Sequence, residues 1–200
     1  YNWVFNLQKD SKNKFSRVIR KDNVYKCKSI IRKKTPLINP VDIVARKDIA
    51  IIELDRPVRG ISPLKMSFDL KEFEHKNIDN RIIYSIGHPL GTPAKFHGGQ
   101  VKGTFFNDNF YTDQIVLPGS SGSPVIDIQT NTVIGVISKS VKFFTLNERR
   151  DCAEFVVPQQ NTLYRENFYS AATSINKIKR ILGKLRSQIN QKKQKRDKGK

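Results

Sequence analysis

The chain has 200 residues, 38% of them hydrophobic and 28% charged, with a formal net charge of +19. That balance is too apolar for a disordered chain, and no apolar run reaches the length of a membrane-crossing helix, so a globular, soluble protein of one large or two small domains is expected. The charge sits at the ends: residues 1–47 carry 13 Lys/Arg against 3 Asp/Glu and residues 171–200 carry 11 against 1, whereas 48–170 carries 13 against 14. Residues 1–7, YNWVFNL, alternate apolar and polar like a half-buried strand, and 9–14 reads as a polar turn. Strands are predicted at 24–31 and 48–54, the second stopped by Pro57 and Gly60. Residues 62–80 are polar with little period. A strand at 82–86 runs into the loop GHPLGTP at 87–93. Further strands fit 100–106, 114–117, 124–128 and 132–138, the last two joined by a turn at 129–131. Ser174 suits a helix cap. Beyond it, Ile175, Ile178, Ile181, Leu182, Leu185 and Ile189 fall on one helical face. Residues 190–200, NQKKQKRDKGK, have nothing to bury and are expected to be disordered. Many short strands with Gly and Pro turns, then one C-terminal helix, predict an all-β barrel or sandwich with a helix appended.

No Cys/His spacing suits zinc, and no Gly-rich loop with Lys suits phosphate, so no metal or cofactor is expected. Cys27 and Cys152 fit either one disulfide in an exported protein or two buried thiols. The only methionine is Met66 and the chain begins at Tyr1, so sequence upstream of Tyr1 is expected to have been removed, processed or never included.

The sharpest chemical signal is PGSSGSPV at 118–125. A serine is a useful nucleophile when a base takes its proton and donors stabilise the oxyanion. Gly119 lets the backbone turn so that its N–H and that of Ser121 point into one small hole. Gly122 avoids crowding behind Ser121, and Pro124 opens the next strand without needing a ladder donor. A Ser/Gly turn between two strands has the same composition. The second signal is Asp48, which opens DIAIIEL at 48–54. An aspartate at the head of an apolar strand is placed to orient an imidazole and stabilise its charged form. A plain strand-edge aspartate reads the same way.

Together, Asp48-Ile49-Ala50 and the downstream Gly119-x-Ser121-Gly122-x-Pro124 resemble the chymotrypsin-like serine peptidases, most closely the bacterial trypsin-like peptidases of the GNSGSPV type. The resemblance extends to LDRPVRG at 54–60, SIGHPLGTPAKFHGGQVKG at 85–103 and VIGVISKS at 133–140, and so spans about residues 1 to 180. It implies two antiparallel β-barrels of the trypsin-like type, the first incomplete, plus a C-terminal α-helix. The implied layout is a remainder of the first barrel at 1–66, an inter-barrel linker at 67–80, a second barrel at 81–160, a C-terminal segment with the helix at 161–190 and a disordered basic tail at 191–200. It also implies Ser121 as nucleophile, Asp48 as orienting acid, the N–H groups of Gly119 and Ser121 as oxyanion hole, and Ser138 and Lys139 on the strand that holds substrate backbone. The floor of the primary specificity pocket falls six residues before the nucleophile, at Ile115. An apolar floor there favours small or apolar substrate side chains, with Asp113 close by.

Two departures stand out. The family order is His, Asp, Ser, but His75, His88 and His97 all follow Asp48, in linker, turn and loop positions. The catalytic histidine is therefore expected upstream of Tyr1, and this stretch alone is expected to be nearly inactive. Ser120 stands where animal trypsin-like enzymes have an aspartate that pairs with a freed N-terminus, so activation by that route is not expected. The expected function is serine endopeptidase action on protein or peptide substrates, in a secreted or periplasmic setting. The alternative is a non-catalytic protease-like binding protein whose basic ends hold an anionic surface or nucleic acid.

Overall fold

The structure is a computed structural model. It describes residues 2–5, 14, 18–34, 49–67, 78–105, 109–140, 144–155, 169–176, 179, 182–183 and 187. The chain divides into two compact units, one comprising Tyr1–Asp42 and Arg46–Pro63, the other Ile43–Ala45 and Leu64–Lys200.

In the first unit, strands β1 (Asn2–Val4), β2 (Val24–Lys34) and β3 (Ile49–Leu54) form an antiparallel sheet in that order. Two bulges, between Cys27 and Ser29 and between Ile30 and Arg32, break the β2–β3 register, as an extra residue on one strand must. The unit is built around Tyr25, only 4% exposed. Phe5 meets its ring edge-on at 5.1 Å between centroids, and the Arg56 guanidinium lies 4.1 Å above it. Arg56 also donates to the carbonyls of Asp22 (3.0 Å) and Val24 (2.9 Å). Its neighbour Asp55 accepts the Lys26 N–H at 3.0 Å, and the Asp55 N–H returns to the Lys26 carbonyl at 2.9 Å. The LDRP segment thus closes the end of β3 onto β2 through reciprocal bonds.

The second unit is a closed antiparallel barrel in the order β11-β6-β5-β4-β7-β8. Its strands are β4 (Ile82–Gly87), β5 (Lys95–Phe105), β6 (Asn109–Thr112), β7 (Pro124–Asp127), β8 (Thr132–Lys139) and β11 (Ser170–Ser174). A separate hairpin, β9 (Phe144–Asn147) with β10 (Cys152–Phe155), lies between β8 and β11 in the chain. With the sheet of the first unit, the fold is the expected all-β class. Ile78, Ile83, Val101, Phe110, Val116, Val125, Ile134, Ile137 and Ala172 fill the barrel. Burying each larger one contributes roughly 1.5–3 kcal/mol. Gly135 on β8 is forced by this packing, because a Cβ there would lie 2.6 Å from the Phe110 ring. Asp127, 1% exposed, is matched by Arg81 at 2.9 Å and by the N–H groups of Gln129 and Thr130, both at 2.9 Å, so the β7–β8 turn is fixed by a satisfied carboxylate. Tyr84 donates to Asn131 in the same turn at 3.0 Å.

Several strands differ from their predicted extents. β5 begins at Lys95, five residues before the predicted start, and so includes Gly98 and Gly99. Residues 114–117, predicted as a strand, run outside the barrel ladder. Strands β9, β10 and β11 are not among the predicted ones: β9, FTLN, alternates but over four residues alone, and β10 and β11 lack the pattern. β11, SAATS, is small and polar yet wholly buried, because it is the strand that closes the barrel between β6 and β8. Ser174 ends β11, and its Oγ accepts the Asn176 N–H at 3.2 Å, as a cap does. Ile175, Asn176, Lys179, Leu182, Gly183 and Ser187 are helical, and Ile175 packs on Ile126 and Val133. Ile178, Ile181, Leu185, Ile189 and the basic tail at 191–200 lie outside the described residues. Lys65 and Ser67 bond Val133 through its N–H (2.8 Å) and carbonyl (3.2 Å). Cys27 and Cys152 are free thiols.

Two stability outcomes follow from these contacts. Arg81→Met leaves the Asp127 carboxylate buried without its counter-charge, and is expected to cost roughly 3 kcal/mol of barrel stability, measured by urea unfolding. In the first unit, the Lys26 N–H holds the Asp55 carboxyl below its ordinary value of 3.8, with the Arg56 charge adding to this and desolvation opposing it. A depressed folded-state value means the stabilisation is complete above the ordinary value and is lost as pH falls through the folded one. Trp3, paired with Tyr25 across β1–β2, reports this unit. Its fluorescence melting temperature is expected to fall as pH drops below the ordinary 3.8, and Asp55→Asn is expected to flatten that fall.

Candidate active site around Ser121

The segment from Asp113 to Ser123 links β6 to β7, and its first four residues alternate between outside and inside. Gln114, Val116 and Ser120 are buried, while Asp113, Ile115 and Ser121 face solvent. Val116 reaches the barrel core, which an apolar side chain at that spacing favours. Ser120 N–H bonds the Leu117 carbonyl at 3.2 Å and Ser123 N–H bonds the Ser120 carbonyl at 3.0 Å. Two successive turns thus lift Ser121 to an exposed apex.

The apex is held from two sides. Gly122 N–H donates to the Ile137 carbonyl at 2.8 Å, and Ile137 N–H donates to the Ser123 carbonyl at 2.9 Å. This couples the loop to β8 just before Ser138. On the other side, Leu90 N–H donates to the Pro118 carbonyl at 2.8 Å. Leu90 belongs to the turn after β4, braced by Thr92 Oγ1 donating to the Pro89 carbonyl at 2.6 Å. Gly119 faces that turn. A Cβ on Gly119 would stand 2.7 Å from the Leu90 nitrogen, and its φ of +92° is already in the region glycine favours. Gly87 at the end of β4 leaves room for Ser120 and Ser123, since a Cβ there would overlap the Ser123 hydroxyl. Among the described residues, no acceptor meets the N–H of Gly119 or of Ser121, and no partner meets the Ser121 hydroxyl.

The remaining expected positions distribute as follows. Ile115 is 52% exposed, and Ser121 is exposed too. Ser138 Oγ donates to the Ala171 carbonyl at 3.2 Å, so it braces β8 against β11. Lys139, the last residue of β8, is exposed. Asp113 is engaged on the β5 side, accepting the Gln100 N–H at 2.6 Å and facing Lys102 at 3.0 Å. His88 Nδ1 lies 3.1 Å from the Thr92 carbonyl within its turn. The His97 carbonyl accepts from Gln114 at 2.6 Å, and neither histidine bonds Ser121. Asp48 and His75 lie outside the described residues. Ser120, buried, has a hydroxyl with no partner among the described residues. No group of three or more His, Cys, Asp or Glu is gathered among the described residues.

Sequence reasoning missed the residues that support the loop. Gln114, Ser85 and Ser170 are polar letters in apolar surroundings, and only the inward phase of β4 (Ile83, Ser85, Gly87) hinted that Ser85 needs a buried partner. The bracing by the 88–92 turn was legible only as a Gly/Pro loop.

A family model described as a trypsin-like peptidase domain matches residues 8–136, a span that includes both Asp48 and Ser121. No curated protein matches the chain. One similar solved structure is the crystal structure of Rv3671c from M. tuberculosis H37Rv, a serine-to-alanine mutant in its inactive form. The identity is 13% and the TM-score 0.49, over 84% of this chain and 69% of that one.

The two loop glycines separate strain from collision. Both have φ of +92°, but a Cβ on Gly122 meets open space, whereas one on Gly119 meets the Leu90 backbone. Gly122→Ala is expected to cost about 1 kcal/mol from φ alone. Gly119→Ala is expected to cost about 2–3 kcal/mol, since it adds overpacking. Urea unfolding of the two variants side by side checks the order.

Proposed function

Because the chain belongs to the family of trypsin-like peptidase domains, we propose that it is a serine endopeptidase acting on protein or peptide substrates through an acyl-enzyme at Ser121. The observation that carries this reading is the exposed Ser121 hydroxyl, raised on a loop bonded on both flanks, beside two N–H groups with no acceptor among the described residues.

In this reading a histidine base takes the Ser121 proton as Oγ forms its bond to the scissile carbonyl carbon. The carbonyl oxygen gains the negative charge. The N–H groups of Gly119 and Ser121 stabilise that charge by donating to it more strongly than to the neutral carbonyl. The protonated base then gives its proton to the leaving amine as the C–N bond breaks. Water, deprotonated by the same base, releases the acid product and restores Ser121. Asp48, heading β3, has the role of orienting the base and stabilising its cationic form. Ile115 is the floor of the side-chain pocket. Its apolar surface favours substrates with small or apolar side chains, because burying an unpaired Lys or Arg head there carries a desolvation cost. Ser138 and Lys139 lie on the strand end that pairs with substrate backbone, in the manner of strand addition to a sheet edge.

The test uses the complete natural protein and a fluorophosphonate probe. Stoichiometric labelling that maps to Ser121 by peptide mass spectrometry, lost in Ser121→Ala, is expected. Undiminished labelling of the Ser121→Ala protein would place the nucleophile elsewhere. Asp48→Asn is expected to lower kcat by roughly 10⁴-fold with the fold intact.

A further inference from the structure

Gln114 is polar and only 1% exposed. Burying a primary amide is costly unless both of its ends find partners, and here both do. Oε1 accepts from Ser85 Oγ at 3.2 Å, and Nε2 donates to the His97 carbonyl at 2.6 Å. The backbone carbonyl of Gln114 accepts from Ser170 Oγ at 2.9 Å. These three partners stand on β4, β5 and β11, so one residue of the loop is tied to three strands of the barrel.

The neighbourhood is cut to fit this residue. A Cβ on Gly99 would stand 2.8 Å from Gln114 Cγ and 3.0 Å from the Gln114 nitrogen, so only glycine at that β5 position lets the loop lie so close. Immediately after Gln114 comes Ile115, which faces outward, and then Val116, which is fully buried in the core. Ile115 is therefore suspended between a hydrogen-bonded anchor and an apolar one. The two anchors differ in kind. An apolar contact resists withdrawal from the core but permits sliding and rotation, whereas directional bonds at both ends of an amide fix register as well.

We infer that Gln114 is a positioning residue for substrate selection: by fixing the height and direction of Ile115, it sets which substrate side chain the pocket beside Ser121 accepts. This rests on the proposed roles of Ser121 and Ile115. Gln114 itself does not touch substrate; it acts through the residue that follows it.

The experiment compares the natural protein with Gln114→Leu, Ser85→Ala and the double variant Ser85→Ala/Gln114→Leu, which also removes the hydroxyl that the leucine would orphan. Fluorogenic peptides differing only in the residue on the acyl side of the cleaved bond (Ala, Val, Leu, Phe or Lys) report KM and kcat separately. Thermal melting and the rate of labelling by a small fluorophosphonate accompany them. Gln114→Leu and the double variant are expected to raise KM for the preferred peptide roughly ten- to a hundredfold and to flatten the preference across the series. Fluorophosphonate labelling, which does not depend on a filled side-chain pocket, is expected to fall less than kcat/KM. Ser85→Ala, which loses one of the three bonds, is expected to lie between. An unaltered side-chain preference with a lowered melting temperature would make Gln114 an ordinary core residue and overturn the inference while leaving Ser121 in place. Absence of labelling at Ser121 in the natural protein would overturn the nucleophile assignment first, and this inference with it.

Discussion

The second unit depends on one closure. β11 arrives last in the chain and pairs with β6 on one side and β8 on the other, which removes the free edges that an open sheet would expose. Its sequence is small because the space is small. Ala171 and Ala172 are buried, and Gly135 on the adjacent β8 is pressed by the Phe110 ring. What closes the barrel also stiffens β8, and β8 carries the two bonds through Ile137 that hold the Ser121 loop. The geometry around Ser121 therefore depends on the closing strand β11, which takes no part in the proposed chemistry.

Around that loop the supports are mostly backbone groups. Gly122, Ser123, Leu90 and Ser120 use main-chain N–H groups, so the arrangement tolerates many side-chain changes but few changes of backbone conformation. The buried side chains that contribute, Ser85, Gln114 and Ser170, are neutral, and the charged contact, Asp113 with Lys102, lies at the exposed start of the segment. Ser120 is likewise neutral, in a buried position where an aspartate would need a cation. The turns that carry Ser121 itself are held by neutral bonds.

Strands with clear alternation were legible from the letters alone. β4 and β8 emerge within a residue of their predicted ends, since each presents one face to an apolar core and punctuates with Gly, Asn or Asp. β11 was not legible, because a strand buried on both sides among large neighbours has no apolar signature when its own residues are small. Residues 114–117 misled in the opposite direction. Their inside-outside alternation is real, but it comes from a loop anchored at Gln114 and Val116 rather than from ladder pairing. Ser121 stood out in the letters because glycines flank it. The positive φ of Gly119 fits the turn expected there. Gly122 does not relieve crowding, since a Cβ on it meets open space, and glycine is favoured there by its φ alone. The supporting shell of Ser121 did not stand out, because a buried amide is recognised only when its partners, at 85, 97 and 170, are seen together.

The two units also divide the electrostatics of the chain. In the first, charged groups do structural duty. Arg56 covers Tyr25 and takes three backbone carbonyls as acceptors, and Asp55 locks β3 to β2. Glu53 is held below its ordinary value by hydrogen bonds from Lys28 and then Ser29. In the second, the buried charge is confined to the Asp127–Arg81 pair at the β7–β8 turn, among the described residues. Asp127 and Arg81 sit at one end of β7, and Ser121 precedes the other. The turns at 117–123 that carry Ser121 are held by main-chain bonds, which involve no ionisable group. Under the proposed mechanism, such bonds would keep their geometry through a proton transfer at Ser121, as a preorganised site requires.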